Sequence, residues 1–387
     1  MNLTLGIDNL IASGQLEGLR VGVLCNPASV DHELRHTVDR IWTAPRVTLV
    51  GIFGPQHGFH ADAQDNMVET PHSQHSRYGV PIYSLYGDTR TPSGQMLKKM
   101  DALVIDLQDV GTRVYTYIYT MANCLRAARA HGVQVVVCDR PNPIGGTAIE
   151  GPVLQAGYES FVGQFPIPIR HGMTIGELAR LFNNQFGLGA DLTVSRLKGW
   201  VRTTYSDEVG VPWIMPSPNL PTLESAIVYP GAVLIEGTNL SEGRGTTRPF
   251  ELVGAPWLRG EKISDQLNQM SMPGVHFRPV QFEPTFQKHA RQLCGGCQTH
   301  VTNRQTFLPV LAMVALLQVC RRSAPDQFAW RNPPYEYEQV KTPIDILFGS
   351  DHLRTQLDTD VPVLEIAASW ADKMAVFREE REQFLLY

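Results

Sequence analysis

Between residues 20 and 140 the chain alternates short apolar runs with segments of helical spacing. The runs are Val21–Cys25, Val47–Phe53, Ile82–Leu85, Leu103–Leu107 and Val133–Cys138, most of them nearly continuous in apolar residues and rich in Val and Ile. Strands covered on both faces read this way, as in a parallel sheet. Between them lie Glu33–Thr43, Ser93–Lys99 and Tyr115–His131. In the last, Ile118, Met121, Ala122, Leu125 and Ala128 share one helical face, and Gly132 supplies a C-terminal stop. The pattern predicts an α/β fold: a Rossmann-like parallel sheet forming an N-terminal domain over residues 1–155. Gly145-Gly146, Gly151-Pro152 and Gly157 mark the boundary. Residues 156–387 read as a second, α+β C-terminal domain. Helices are predicted at Thr174–Phe186, where Thr174 and Glu177 form a capping box, at Phe307–Arg321 and at Leu364–Leu385; strands are predicted at Asp191–Leu197 and Ala226–Ile235.

Most of the predicted strands exit into polar clusters: Asn26-Pro27, Gly54-Pro55-Gln56-His57-Gly58-Phe59, Gln108-Asp109-Val110-Gly111-Thr112-Arg113 and Asp139-Arg140-Pro141-Asn142-Pro143. In an open parallel sheet these exits share one edge, and ligands bind in the crevice outside it. No GxGxxG or Walker-type loop follows the first strand, which argues against a nicotinamide or ATP enzyme. The 387 residues carry 33 Lys plus Arg against 38 Asp plus Glu, a net charge of −5 with no basic stripe, so no nucleic-acid partner is expected. No run approaches a membrane span, and the N-terminus has no signal-peptide pattern, so a cytoplasmic protein is expected. The six cysteines are too few for a disulfide scaffold, and Cys294-Gly295-Gly296-Cys297 reads as a Gly-rich turn.

Three clusters offer chemistry. Residues 57–75 hold His57, His60, Asp62, Asp65, Glu69, His72 and His75, a set that invites a metal although no familiar ligand spacing is present. Asp106 and Asp109 end an apolar strand, with Arg113 four residues on as a partner; Tyr115, Tyr117 and Tyr119 follow. The stretch Glu236-Gly237-Thr238-Asn239-Leu240-Ser241-Glu242-Gly243-Arg244 combines acids, hydroxyls, an amide and a guanidinium with close-approach glycines, an inventory suited to a polyhydroxylated ligand bearing a carboxylate.

Taken in order, the 54–59, 106–113, 139–143, Arg170-His171-Gly172-Met173-Thr174 and 236–244 motifs resemble the exo-β-N-acetylmuramidase (NamZ-type) family of glycosidases. Pro333-Pro334-Tyr335-Glu336-Tyr337-Glu338 and Pro343-Ile344-Asp345 extend the likeness along nearly the whole chain. The resemblance implies a Rossmann-like domain, a C-terminal α/β domain and an active-site cleft between them. It implies release of N-acetylmuramic acid from the non-reducing end of peptidoglycan fragments, with no cofactor or metal. Many members carry Glu where this chain has Gln56, and an amide cannot give and recover a proton. The acid role is therefore expected at Glu69, with Asp109 or Glu242 as its counterpart and His57 and Asp106 holding the constellation. Arg113, Arg140 and Arg244 are the expected partners of the lactyl carboxylate. Asn142 and Asn239 are expected at the acetamido group or hydroxyls, and Gln56, Tyr117, Asp139 and His171 complete the substrate contacts. Two rival readings are a metal-dependent amidohydrolase built on the 57–75 cluster and a non-catalytic muramic-sugar-binding protein.

Overall fold

The computed structural model describes residues 3–65 and 67–387. Twelve strands are present, named in chain order: β1 Arg20–Cys25, β2 Thr48–Gly54, β3 Ser73–Gln74, β4 Pro81–Ser84, β5 Ala102–Asp106, β6 Gln134–Cys138, β7 Glu150–Val153, β8 Pro168–Arg170, β9 Leu192–Ser195, β10 Leu252–Ala255, β11 Val275–Phe282 and β12 Cys294–Val301. Seven form one sheet in the order β3-β4-β2-β1-β5-β6-β9. Its pairings are parallel except at the short edge strand β3. The five apolar runs are its five inner strands, and β1, β5 and β6 are buried almost throughout, as strands covered on both faces must be. Helices 6–13 and 37–42 cover one face, and 117–131 and 175–184 the other.

The sheet does not stop at residue 155. β9 joins it beside β6, with Val135 opposite Leu192 and Cys138 opposite Ser195. Beyond it, β10, β12 and β11 make a separate antiparallel sheet, and β7 pairs with β8. Thr174 caps the helix Ile175–Asn184 through a capping box with Glu177, as its spacing predicted. Three expectations need correction. Ala226–Ile235 is not a strand: Leu223–Ala232 is a helix, capped by the Thr222 hydroxyl, and Val233–Gly237 continues it as a 3₁₀ turn. All but one of its residues are buried, and a continuous apolar run carries no periodicity to tell a buried helix from a strand. Cys294–Cys297 is not a turn but the start of β12. A Cβ at Gly296 would lie 2.0 Å from the Val253 carbonyl oxygen, so the glycines serve strand packing. The C-terminal segment is also two helices, Val363–Ala368 and Ala371–Glu382, instead of one. All six cysteines are free and buried, and no described helix is long and apolar enough to cross a membrane.

Two buried ionic groups tie the sheet edge together. Asp106, at the end of β5, accepts from Arg140 Nε at 2.5 Å and Nη2 at 2.9 Å, and from the Thr37 hydroxyl. Arg113 has no carboxylate partner. Its guanidinium donates to the carbonyls of Pro152, Ile167, Leu347 and Phe348 at 2.7–3.1 Å. Burial pulls its pKa down to about 10, still charged at neutral pH. One side chain thus joins segments almost 200 residues apart. Arg113→Met would strand four carbonyls away from water. It should lower the unfolding free energy by about 3 kcal/mol or more, read as a fall in the urea midpoint at unchanged slope.

Candidate active site

The crevice between β1 and β5, where the strand order reverses, is the usual ligand position in such sheets. Here protein fills it. Asn26, at the β1 exit, donates to the Tyr117 hydroxyl at 3.0 Å and to the Pro216 carbonyl at 2.8 Å, and Ser29 donates to the Asp106 carbonyl. The open space lies instead over the β2 exit. A small cavity of about 40 Å³ is lined there by Gln56 and His57 from the β2 loop and by Tyr115, Thr116 and Tyr117 at the start of the 117–131 helix. Across it stand Tyr229, Glu236, Arg244, Phe250, Tyr335 and Glu336. The sharp turn into the β2 loop needs Gly54, where a Cβ would meet the Phe59 nitrogen at 2.6 Å. Four residues in or beside this cavity adopt left-handed backbone: His57 at φ +68°, Phe250 at +67°, Glu336 at +45° and Tyr337 at +71°. Such conformations cost about 1 kcal/mol or more each for non-glycine residues, and they concentrate where geometry matters.

Two carboxyls share this cavity, each at most 3% exposed. Glu336 receives Gln56 Nε2 at 3.1 Å on one oxygen and the Tyr86 hydroxyl at 2.9 Å on the other. Burial dominates its titration and lifts its pKa to about 7; the Tyr86 and Gln56 hydrogen bonds resist this, and the neighbouring Glu236 charge reinforces it. Glu236 sits in the 3₁₀ turn. Burial pushes its pKa up too, but Arg244 Nη2 at 2.7 Å and the Tyr335 hydroxyl at 2.6 Å outweigh that, and the net shift is downward. One carboxyl is thus held protonated near neutral pH and its neighbour ionised, the division of labour that acid–base pairs need. Aromatic faces of Tyr115, Tyr229 and Phe250 supply the apolar walls.

Sequence comparison agrees with this chemistry. Residues 21–224 match the family described as exo-beta-N-acetylmuramidase NamZ, N-terminal, and residues 227–387 match its C-terminal counterpart. The chain belongs to the NamZ family. It is 45% identical over 384 residues to the peptidoglycan beta-N-acetylmuramidase NamZ of Bacillus subtilis (strain 168), covering 99% of this chain and 91% of that protein. Two crystal structures of DUF1343 family proteins from Bacteroides fragilis share the fold. One superposes with a TM-score of 0.90 at 34% identity, the other with 0.77 at 28%. Each match covers 100% of this chain and 99% of the other.

Within this NamZ fold the expected site residues divide. Gln56, His57, Tyr117 and Arg244 line the inner cavity. Glu242 and Asn239 line a second, larger and more open cavity of about 550 Å³ that shares Glu236 with the first. Glu242 is held by Arg244 at 3.3 Å and Lys288 at 3.0 Å, while Asn239 pins the Gln327 and Ala329 backbone. His57 Nδ1 lies 2.7 Å from the Ala63 carbonyl; burial lowers its pKa to about 4, so it is neutral. The Tyr117 hydroxyl donates to Pro216.

The remaining expected residues line neither cavity. Glu69 is 52% exposed at its side chain and pairs with Arg90 at 3.4 Å. Its side chain stays at the surface, outside the buried pair. Asp109 accepts from the Gly111 nitrogen at 2.7 Å and lies 3.2 Å from His171. Asp106, Arg140 and Arg113 form the buried ties described above. Asp139 accepts from the Thr174 and Tyr387 hydroxyls and the Gly176 nitrogen, and Asn142 bridges Ile144 and Met173. Arg113 and Arg140 are thus committed within the protein, whereas Arg244 lines the inner cavity beside Glu236. Of the histidine cluster, His72 accepts from the Ser84 nitrogen and His75 stacks on Tyr78. Among the described residues no three His, Cys, Asp or Glu side chains converge as a metal site.

Sequence reasoning missed Glu336 and the role of Glu236, although both stood in quoted motifs. The available signal was an acid between two tyrosines, in a Pro-flanked segment outside any periodic pattern. Gln56 is a neutral clamp on Glu336, accepting the Thr116 hydroxyl at 2.6 Å while its amide donates. Gln56→Glu would replace that donor by a third acid. Like charge disfavours ionisation, so Glu336 should titrate higher. The alkaline limb of the pH–rate profile of Gln56→Glu should move up by about one unit.

Proposed function

We propose that the protein is an exo-β-N-acetylmuramidase. It releases N-acetylmuramic acid from the non-reducing end of peptidoglycan-derived sugar fragments, with Glu336 as general acid and Glu236 as its ionised partner. The observation that carries the assignment is the pair itself: two buried carboxyls in one cavity, driven to opposite protonation states. Hydrolysis of a glycoside needs this pair. Glu336 gives its proton to the glycosidic oxygen as the bond to the anomeric carbon breaks. Glu236 either attacks that carbon or takes a proton from the water that does. The leaving sugar departs with the new hydroxyl proton, and water's oxygen ends on the anomeric carbon. Arg244 keeps Glu236 anionic as positive charge builds on the sugar ring.

The test is hydrolysis of a chromogenic β-N-acetylmuramide. Glu336→Gln and Glu236→Gln should each lower kcat roughly 10²–10⁴-fold, while Glu69→Gln should leave it near wild type. Wild-type protein that binds the sugar but never cleaves it would overturn the enzymatic reading in favour of a binding protein. Normal turnover by Glu336→Gln would overturn the assignment of the acid.

The pH dependence follows from the same pair. Activity requires protonated Glu336, so the rate should fall on the alkaline side through about 7. The stability consequence has the opposite benefit. A carboxyl whose folded pKa lies above its unfolded value costs stability as pH rises between the two, and the cost is complete above the folded pKa. Glu336→Gln removes that cost. Its melting temperature should exceed wild type at pH 8 and differ little at pH 5, by calorimetry.

A further inference from the structure

The outer cavity is lined by three basic side chains, Lys288, His289 and Arg331. Lys288 Nζ donates to the Ile235 and Leu240 carbonyls at 3.1 and 2.9 Å and to Glu242 at 3.0 Å, which uses all three ammonium donors. His289 Nε2 lies 2.7 Å from the Asn239 carbonyl. Arg331 differs from both. Its backbone nitrogen donates to the Gly237 carbonyl at 2.9 Å, which fixes it beside the 3₁₀ turn that carries Glu236. On its other side Gly237 packs against Ile344, where a Cβ would lie 2.7 Å from the Ile344 backbone. The guanidinium carbon lies 5.3 Å from the centre of the Tyr335 ring, whose hydroxyl holds Glu236. Among the described residues, no carboxylate or carbonyl accepts a hydrogen bond from that guanidinium.

The same cavity is otherwise acidic at its wall: Asp65, Glu236 and Glu242 line it. An anionic substrate enters against these carboxylates and needs a cation where its own charge comes to rest. Resting on the reading above, the substrate carries one such charge. N-acetylmuramic acid differs from N-acetylglucosamine by a lactyl ether on O3, which ends in a carboxylate. O3 sits on a carbon two away from the anomeric centre, so its carboxylate lies away from the reacting bond and needs a partner of its own.

We propose that Arg331 is the specificity residue that binds the lactyl carboxylate and so selects muramic over glucosamine sugars. The planar fork of N–H donors suits a carboxylate in bidentate fashion, and the Tyr335 ring holds the fork in place. A guanidinium left without its anion also disfavours the neutral sugar, because the site is built around a charge that glucosamine does not bring.

The experiment compares chromogenic β-N-acetylmuramide and β-N-acetylglucosaminide, with the same leaving group, on wild type, Arg331→Met and Arg331→Lys. Binding of free N-acetylmuramic acid is measured by calorimetry on the same proteins. Arg331→Met should lower kcat/KM for the muramide roughly 10- to 100-fold, chiefly through KM, and collapse the muramide-to-glucosaminide ratio. Arg331→Lys, which keeps a point charge but not the fork, should fall between. Free N-acetylmuramic acid should bind Arg331→Met more weakly by a similar factor. Equal slowing on both substrates, or unchanged affinity for the free acid, would overturn the proposal and leave the enzymatic reading standing. Wild type inert on the muramide would overturn the enzymatic reading itself, and the proposal with it.

Discussion

One guanidinium decides the chemistry of this cavity. Arg244 lies between Glu236 and Glu242, buried with both, and its cation is the one in contact with Glu236 at 2.7 Å. Glu242 has a second partner in Lys288, so Arg244 is left to hold Glu236 as an anion. Glu336 has no cation in direct contact. Its neighbours are a phenol, an amide and the Glu236 charge, and burial then keeps it neutral. Two acids of the same type therefore part company because one basic side chain touches one of them and acts on the other only from a distance. A second cation beside Glu336 would ionise it and end its use as a proton donor.

The scaffold explains why such an arrangement can persist. The strained residues at 57, 336 and 337 come from the two ends of the chain, and neither loop is held by its own element. They are fixed by what lies behind them. Arg113 binds the carbonyls of Leu347 and Phe348 to those of Pro152 and Ile167, so the segment after Glu336 is pinned to the N-terminal half. Asp106 and Arg140 close the sheet edge beneath. These charges are buried and held within the protein, Asp106 and Arg140 by each other and Arg113 by carbonyls. The polar strand exits thus split into two kinds, one kind building the platform and the other reaching the cavity.

The sheet was legible from the chain because Val- and Ile-rich runs report burial on two faces directly, and the capping pair Thr174 and Glu177 reports a helix start. Leu223–Ile235 was not legible, since an unbroken apolar run has no period. The site was legible in its β2 half: Gln56 and His57 follow a strand that could only end at the ligand edge. Its other half was not. Glu336 lies 280 residues from the amide that clamps it, and nothing local to Tyr335-Glu336-Tyr337 tells a buried acid from a solvated one. Arg113 and Arg140 misled for a related reason. A guanidinium saturated by carbonyls and one left open to a ligand have the same letter in the chain, and only the count of acceptors within reach separates them.

Gln56 becomes intelligible on the same physical ground. An acid at this position would stand against Glu336, with Glu236 close by, and three carboxyls would then share the reach of Arg244. At least one would have to stay protonated, and which one would depend on small differences in hydrogen bonding. An amide removes the ambiguity. It donates to Glu336 through its nitrogen and accepts from Thr116 through its oxygen, so its orientation is fixed and it holds no proton to exchange. The acid function then falls to the one carboxyl in the cavity that is buried, hydrogen-bonded on both oxygens and beyond direct contact with a cation. With an amide at position 56, Glu336 is the carboxyl whose surroundings suit a proton donor.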